Sequence, residues 1–133
     1  MISTYLKNKI QDYLFCGVAF TPPTKYYIAL STTEPAENGT NVTEPSGGNY
    51  ARIAMTKGTT DFANAVNGVV KNKTTLLSNE STASWGNLPY FAIYDAPTGG
   101  NLLWGGSLVN ARNIDVEMQL VIDPNGISFT LSN

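Results

Sequence analysis

Two hydrophobic periods run along this chain. In ISTYLKNKIQDYLFCG the apolar residues Leu6, Ile10, Tyr13 and Leu14 recur at three- to four-residue spacing and share one face of a helix. Ser3 offers a side-chain oxygen to the free N–H groups of the first turn, and Gly17 suits the residue that closes the last. Leu6 stands where a Glu or Gln would complete a reciprocal capping box, so the cap is one-sided. The spacing predicts a helix over 3–16, about four turns long and marginal in isolation. Such a helix must dock. Leu6, Ile10 and Leu14 are the residues expected to dock it, either on the body of its own chain or on a sister subunit.

After Pro22 and Pro23, which fix φ and halt the helical pattern, the period changes to two. KYYIALS is rich in β-formers. YARIAMTK alternates, with Ile53 and Met55 on one side and Ala54 and Thr56 on the other. LPYFAIYD, NLLWGGSLV, VEMQLVID and GISFTLS read as further strands, and GVVKNKTTLL as a weaker one. The blocks around Phe91 and Leu103 are apolar enough to be central strands covered on both faces. Gly105 and Gly106 suggest a bulge or a close backbone approach beside Trp104. In DPNG, Pro124 suits the second turn position and Asn125-Gly126 tolerate positive φ, which predicts a hairpin between the last two strands. The polar stretch from Thr33 to Asn49 reads as a long exposed loop, expected to reach a neighbour. The expected fold is mainly β: an antiparallel β-sandwich, Greek-key or jelly-roll-like, over 24–133, with one N-terminal α-helix, in a single domain.

Composition fits that picture. The chain has 133 residues, enough for one real core, and only 14% are charged. Its net charge is −2, and its eight Lys and Arg residues are scattered, so no concentrated cationic field offers itself to nucleic acid. Cys16 is the lone cysteine, which rules out an internal disulfide. No signal-like segment and no run of about twenty apolar residues is visible. A soluble chain with no membrane partner is expected.

Candidate chemistry is sparse. Histidine is absent, which removes the usual general base at neutral pH and the commonest transition-metal ligand. Cys16 has no His to activate it. Asp95 and Asp123 begin turns, and the Glu residues of the long loop look solvated, so a facing pair of catalytic carboxylates is not expected. The Gly-Gly pairs lack a phosphate-loop frame. The chain is therefore expected to be no enzyme, with no cofactor and no metal. Trp85 and Trp104 suit core packing. Tyr26, Tyr50 and Tyr90 are candidates for an aromatic contact surface, for a sugar ring or for a protein partner.

The order YLKNKIQDYLFCG, TPPTKYYIALSTTEPAENG, SGGNYARIAMT and ASWGNLPYFAIYDAPTGGNLLWGGSL resembles a bacteriophage family of small virion proteins, often labelled tail fibre proteins. Gly47, Gly48, Tyr50, Arg52, Trp85, Asp95 and Asn101 carry much of the likeness, which loosens between Thr59 and Glu80. The resemblance implies an N-terminal helix with a β-sandwich in a phage particle, and it implies no catalytic residue. The expected function is that of a non-enzymatic structural virion component acting through protein–protein contacts. Capsid decoration or cement is one placement, and a tail or fibre-associated position is the other. A carbohydrate-binding receptor-recognition module of a phage tail is the alternative. Expected partners are coat or tail subunits and copies of the same chain, a trimer being the expected oligomer. Assembly in the cytoplasm of the host bacterium and residence in the virion complete the expectation.

Overall fold

Ser3 starts the helix as its side chain predicts. In this computed structural model, which describes residues 1–131, α1 spans Thr4–Cys16. The Ser3 hydroxyl accepts the Leu6 N–H at 3.1 Å, and Gly17 closes the helix in the left-handed region at φ +66°. Positions 132 and 133 of the expected body lie outside the described residues.

The strands that follow are β1 (Lys25–Ser31), β2 (Ile53–Thr56), β3 (Val70–Lys71), β4 (Leu76–Leu77), β5 (Gly86–Tyr94), β6 (Leu102–Ile114), β7 (Val121–Ile122) and β8 (Ser128–Phe129). A four-stranded sheet runs in the order β2-β1-β5-β6, and two-stranded ribbons β3-β8 and β4-β7 complete the set. All of these pairs are antiparallel. The protein is thus mainly β with one helix near its N-terminus, as expected.

One sheet face carries the main core. Ile28 and Leu30 of β1, Ile53 and Met55 of β2, and Phe91 and Ile93 of β5 are buried there, together with Leu76, Ile122 and Phe129 of the ribbons. The opposite face holds a smaller cluster of Ala29, Ala92, Tyr94 and Leu102, with Val42 of the long polar stretch packed against it. That stretch is expected to be an exposed loop, yet it is folded onto its own chain. The Ser31 hydroxyl accepts the Thr43 N–H at 2.9 Å and donates to the Thr33 carbonyl at 2.7 Å, and the Thr33 hydroxyl donates to the Asn41 carbonyl at 2.7 Å. Side-chain oxygens here supply the partners a loop would otherwise take from water.

Two strand expectations need correction. The block around Leu103 is not central: β6 lies at the sheet edge. Residues 1–3 run along it, with Ile2 bridged to Trp104, the Ser3 N–H donating to the Leu103 carbonyl and the Gly105 N–H to the Met1 carbonyl, both at 2.9 Å. The short extra segment pairs part of an otherwise open edge, and the apolar side chains of β6 are buried on the two faces, Leu103 in the main core and Leu102 in the smaller cluster. Gly105 lets Pro35 and Met1 lie close against this strand, because an added Cβ would stand 2.9 Å from Pro35 Cβ and 3.2 Å from Met1 Cε.

The second correction concerns the final hairpin. The DPNG turn forms, with the Gly126 N–H donating to the Asp123 carbonyl at 2.9 Å and Asn125 at φ +66°. Its flanking strands then part, β7 joining β4 and β8 joining β3. Asn72 ties this turn to the residue after β3. Its buried side chain accepts the Ile127 N–H and donates to the Asp123 carbonyl, both at 2.9 Å.

Pro89 marks a further irregularity. It falls where the β5–β6 register jumps from Leu88↔Arg112 to Tyr90↔Ser107, so the stretch Leu108 to Ala111 stands opposite Pro89 alone. A residue without an N–H is tolerated inside a strand at such a bulge.

Candidate interface surfaces

Three local constructions stand out. The first is α1, which is only half docked. Leu6 is 5% exposed, and Tyr5 and Ile10 pack against the main core. The Thr4 N–H donates to the Glu37 carbonyl at 2.8 Å, and Lys7 Nζ lies 2.7 Å from Glu37 Oε2. From Gln11 onward every helical residue is exposed, with Leu14 at 64% and Phe15 at 83%, and Val18 beyond the cap is exposed too. Of the expected docking residues, Leu6 and Ile10 thus face the chain's own body, and Leu14 faces solvent. Phe15, which falls off the predicted stripe, is the most exposed large apolar side chain described.

The second construction is an open apolar groove of about 400 Å³. Tyr26 of β1, Phe62, Val70 of β3, Ile93 of β5, Trp104 of β6 and Phe129 of β8 line it, and Lys57 contributes at the same site. Its walls are an aromatic cluster: Tyr26 meets Phe62 edge-on at 5.9 Å, and Trp104 meets Phe129 edge-on at 5.7 Å. Trp104 holds its orientation by donating Nε1–H to the Thr130 carbonyl at 2.9 Å. Trp85, by contrast, is a buried core residue.

The third is a polar knot. Arg52 donates Nε–H and Nη2–H to the two Glu44 oxygens at 3.0 and 2.8 Å, and Nη1–H to the carbonyls of Ala96 and Gly99 at 2.9 and 2.8 Å. Tyr50 donates its hydroxyl to Glu44 at 2.6 Å and accepts the Leu30 N–H at 3.0 Å. Burial acts to raise the Glu44 pKa, but the hydrogen bonds from Arg52 and Tyr50 outweigh it and hold the carboxyl below its ordinary value. Burial, reinforced by the Glu44 hydrogen bond, pushes the Tyr50 phenol well up. The knot ties the end of the long polar stretch to the turn between β5 and β6. Its charged groups answer one another, which makes it a fastening.

The tyrosines singled out in the sequence are dispersed. Tyr26 shares a sheet face with Ile28 and Leu30 and lines the groove, Tyr50 belongs to the knot, and Tyr90 pairs with Ser31 toward the opposite face. Tyr26 and Tyr90 therefore cannot present one platform. The groove's other walls, Phe62 and Phe129, had no sequence signal beyond being aromatic. Among the described residues no group of three Cys, Asp or Glu side chains gathers in a way that holds a metal ion, and no helix is long and apolar enough to cross a membrane.

A half-docked helix with an exposed apolar tip, an open aromatic recess and a fastened polar stretch define a small mainly β protein. The family follows from the sequence: the chain belongs to the podophage GP4 fiber I protein gp80 family, whose model matches residues 1–130. Membership in a phage fibre family implies a structural virion component. No curated protein matches the chain.

Proposed function

We propose that this protein is a non-enzymatic subunit of a phage fibre or of its attachment, working through protein–protein contacts with other virion proteins and with copies of itself, a trimer being the expected oligomer. It is assembled in the host cytoplasm and resides in the particle. The observation that carries this reading is the projecting half of α1. Leu14 and Phe15 in the last turn of α1 and Val18 just beyond its cap are large apolar side chains left in water, and exposed apolar surface of this kind marks an interaction site. Family membership supports the fibre placement over the capsid one.

Carbohydrate recognition finds less support. A sugar needs several polar partners around an aromatic face, and the aromatic recess is walled almost wholly by apolar side chains.

Antibody labelling of intact particles against this chain tests the proposal. Label on the fibres is the expected result. Label over the head shell would move the protein to capsid decoration, and purified particles that lack the chain would overturn the virion role.

A further inference from the structure

The helix tip and the aromatic groove are complementary, and within one chain neither covers the other. Phe15 and its neighbours are exposed, and the groove is open. Its volume of about 400 Å³ accepts an aromatic side chain. The rings of Tyr26, Phe62, Trp104 and Phe129 around it suit edge-to-face contact with another ring.

Charge agrees with shape. Asp12 lies three residues before Phe15 and so shares its helix face. The last turn of α1 contains no basic residue, which leaves the partial negative charge of the helix C-terminus without a cation. Lys57 is the cation at the groove. Among the described residues neither Asp12 nor Lys57 takes part in a salt bridge, those found being Lys7–Glu37 and Arg52–Glu44.

We infer that the α1 tip of one copy inserts Phe15 into the Tyr26–Phe62–Trp104–Phe129 groove of a second copy, with Asp12 and the helix C-terminus facing Lys57 of that copy. This rests on the reading that copies of the chain assemble with one another. Tip and groove are different patches, so the contact is head to tail: it generates a ring when the rotation closes and a filament when it does not. A self-complementary dimer through the tip alone does not follow.

Sedimentation of the purified full chain across a concentration series, with charge and tip variants, tests this. Phe15→Ser changes a side chain that is exposed in the monomer, so it leaves the fold intact. It is expected to weaken association by about ten- to a hundredfold, the effect of exposing a buried aromatic ring. Asp12→Lys and Lys57→Glu are each expected to weaken it by about two- to fivefold, and the double swap to restore it. Oxidising an Ala65→Cys variant, which places a thiol at the groove, is expected to link it to the exposed Cys16 of another copy. Peptide mapping should find the link between position 65 and Cys16, whereas links of each thiol only to its own counterpart in another copy would speak against the contact.

An oligomer unaffected by Phe15→Ser and by both charge changes would overturn the tip-in-groove contact and leave self-assembly standing. A wild-type chain that stays monomeric throughout would overturn it as well. If Phe15→Ser then still abolished incorporation into particles, the tip would dock on a different virion protein, and the fibre reading would survive.

Discussion

The guanidinium of Arg52 sits over the ring of Tyr94, its central carbon 3.8 Å from the ring centroid. The same group grips Glu44 with two hydrogen bonds and the turn carbonyls of Ala96 and Gly99 with two more. Its side chain is only 7% exposed. A planar fork that stacks and bonds at its edge is work a lysine ammonium cannot reproduce. One residue of β1's neighbouring segment thus holds the long polar stretch, the β5–β6 turn and the second sheet face together.

Arg52→Ala is expected to cost about 3 kcal/mol, because it leaves the Glu44 carboxylate partly buried without its cation. Arg52→Lys keeps the charge but loses the fork and the stack, and should fall between the wild type and Arg52→Ala. Urea unfolding of the three proteins gives the ordering.

Acid should act through the same knot. The folded pKa of Glu44 lies below its unfolded value, so its contribution is whole above the ordinary carboxylate range and is lost as pH falls through the folded pKa. Wild type and Glu44→Gln should therefore differ in stability at pH 7 and converge toward pH 3. Unfolding midpoints across that range provide the comparison.

Alkali should act through Tyr50. Burial raises its folded pKa above the unfolded one, so the stability it adds is present below the ordinary phenol value of about 10 and drains away as pH rises past it. Tyr50→Phe should flatten this alkaline loss. Thermal unfolding between pH 8 and 11 measures the difference.

Asn72 is fully buried and joins β3 to the DPNG turn through its side chain, which bonds the Thr74 and Asp123 carbonyls and the Ile127 N–H. Asn72→Ala strands these groups and is expected to cost at least about 3 kcal/mol. Asn72→Asp should be worse, since it sets a carboxylate against two carbonyl oxygens. Denaturant melts of both variants check the rank.

Gly105→Ala drives a methyl into Pro35 Cβ and Cγ, which would stand 2.9 and 3.1 Å away. An overpacking loss of about 1–3 kcal/mol is expected. Combined with Pro35→Gly, the total should be smaller than the sum of the two single effects. A double-mutant cycle by urea unfolding measures that coupling.

Local rules located α1 and β2 well. Ser3 and Gly17 act on N–H and C=O groups within a few residues, and the alternation of Ile53, Ala54, Met55 and Thr56 matches the burial of β2 one residue at a time. Those rules misplaced β6 and the last hairpin. An apolar strand reads the same whether a sheet strand or residues 1–3 pair with its edge, and a DPNG turn reads the same whether its flanking strands pair with each other or with β4 and β3. Leu14 lies on the expected docking stripe, for which either the body or a sister subunit is the expected partner. The stripe is real, but α1 extends beyond the body that Leu6 and Ile10 touch.

What the sequence determined by itself was therefore the mainly β class, the single capped helix, the turns and the lack of a histidine-based chemistry, all properties of composition or of neighbours along the chain. Tertiary structure alone decided that Tyr26, Phe62, Ile93, Trp104 and Phe129 would face one groove, that Glu44 would meet Arg52 across a folded loop, and that Phe15 would remain in water. A period of two or of 3.6 says which side of an element is apolar. Which apolar sides then meet depends on how far each element reaches over its neighbour, and that is settled only when the whole chain packs.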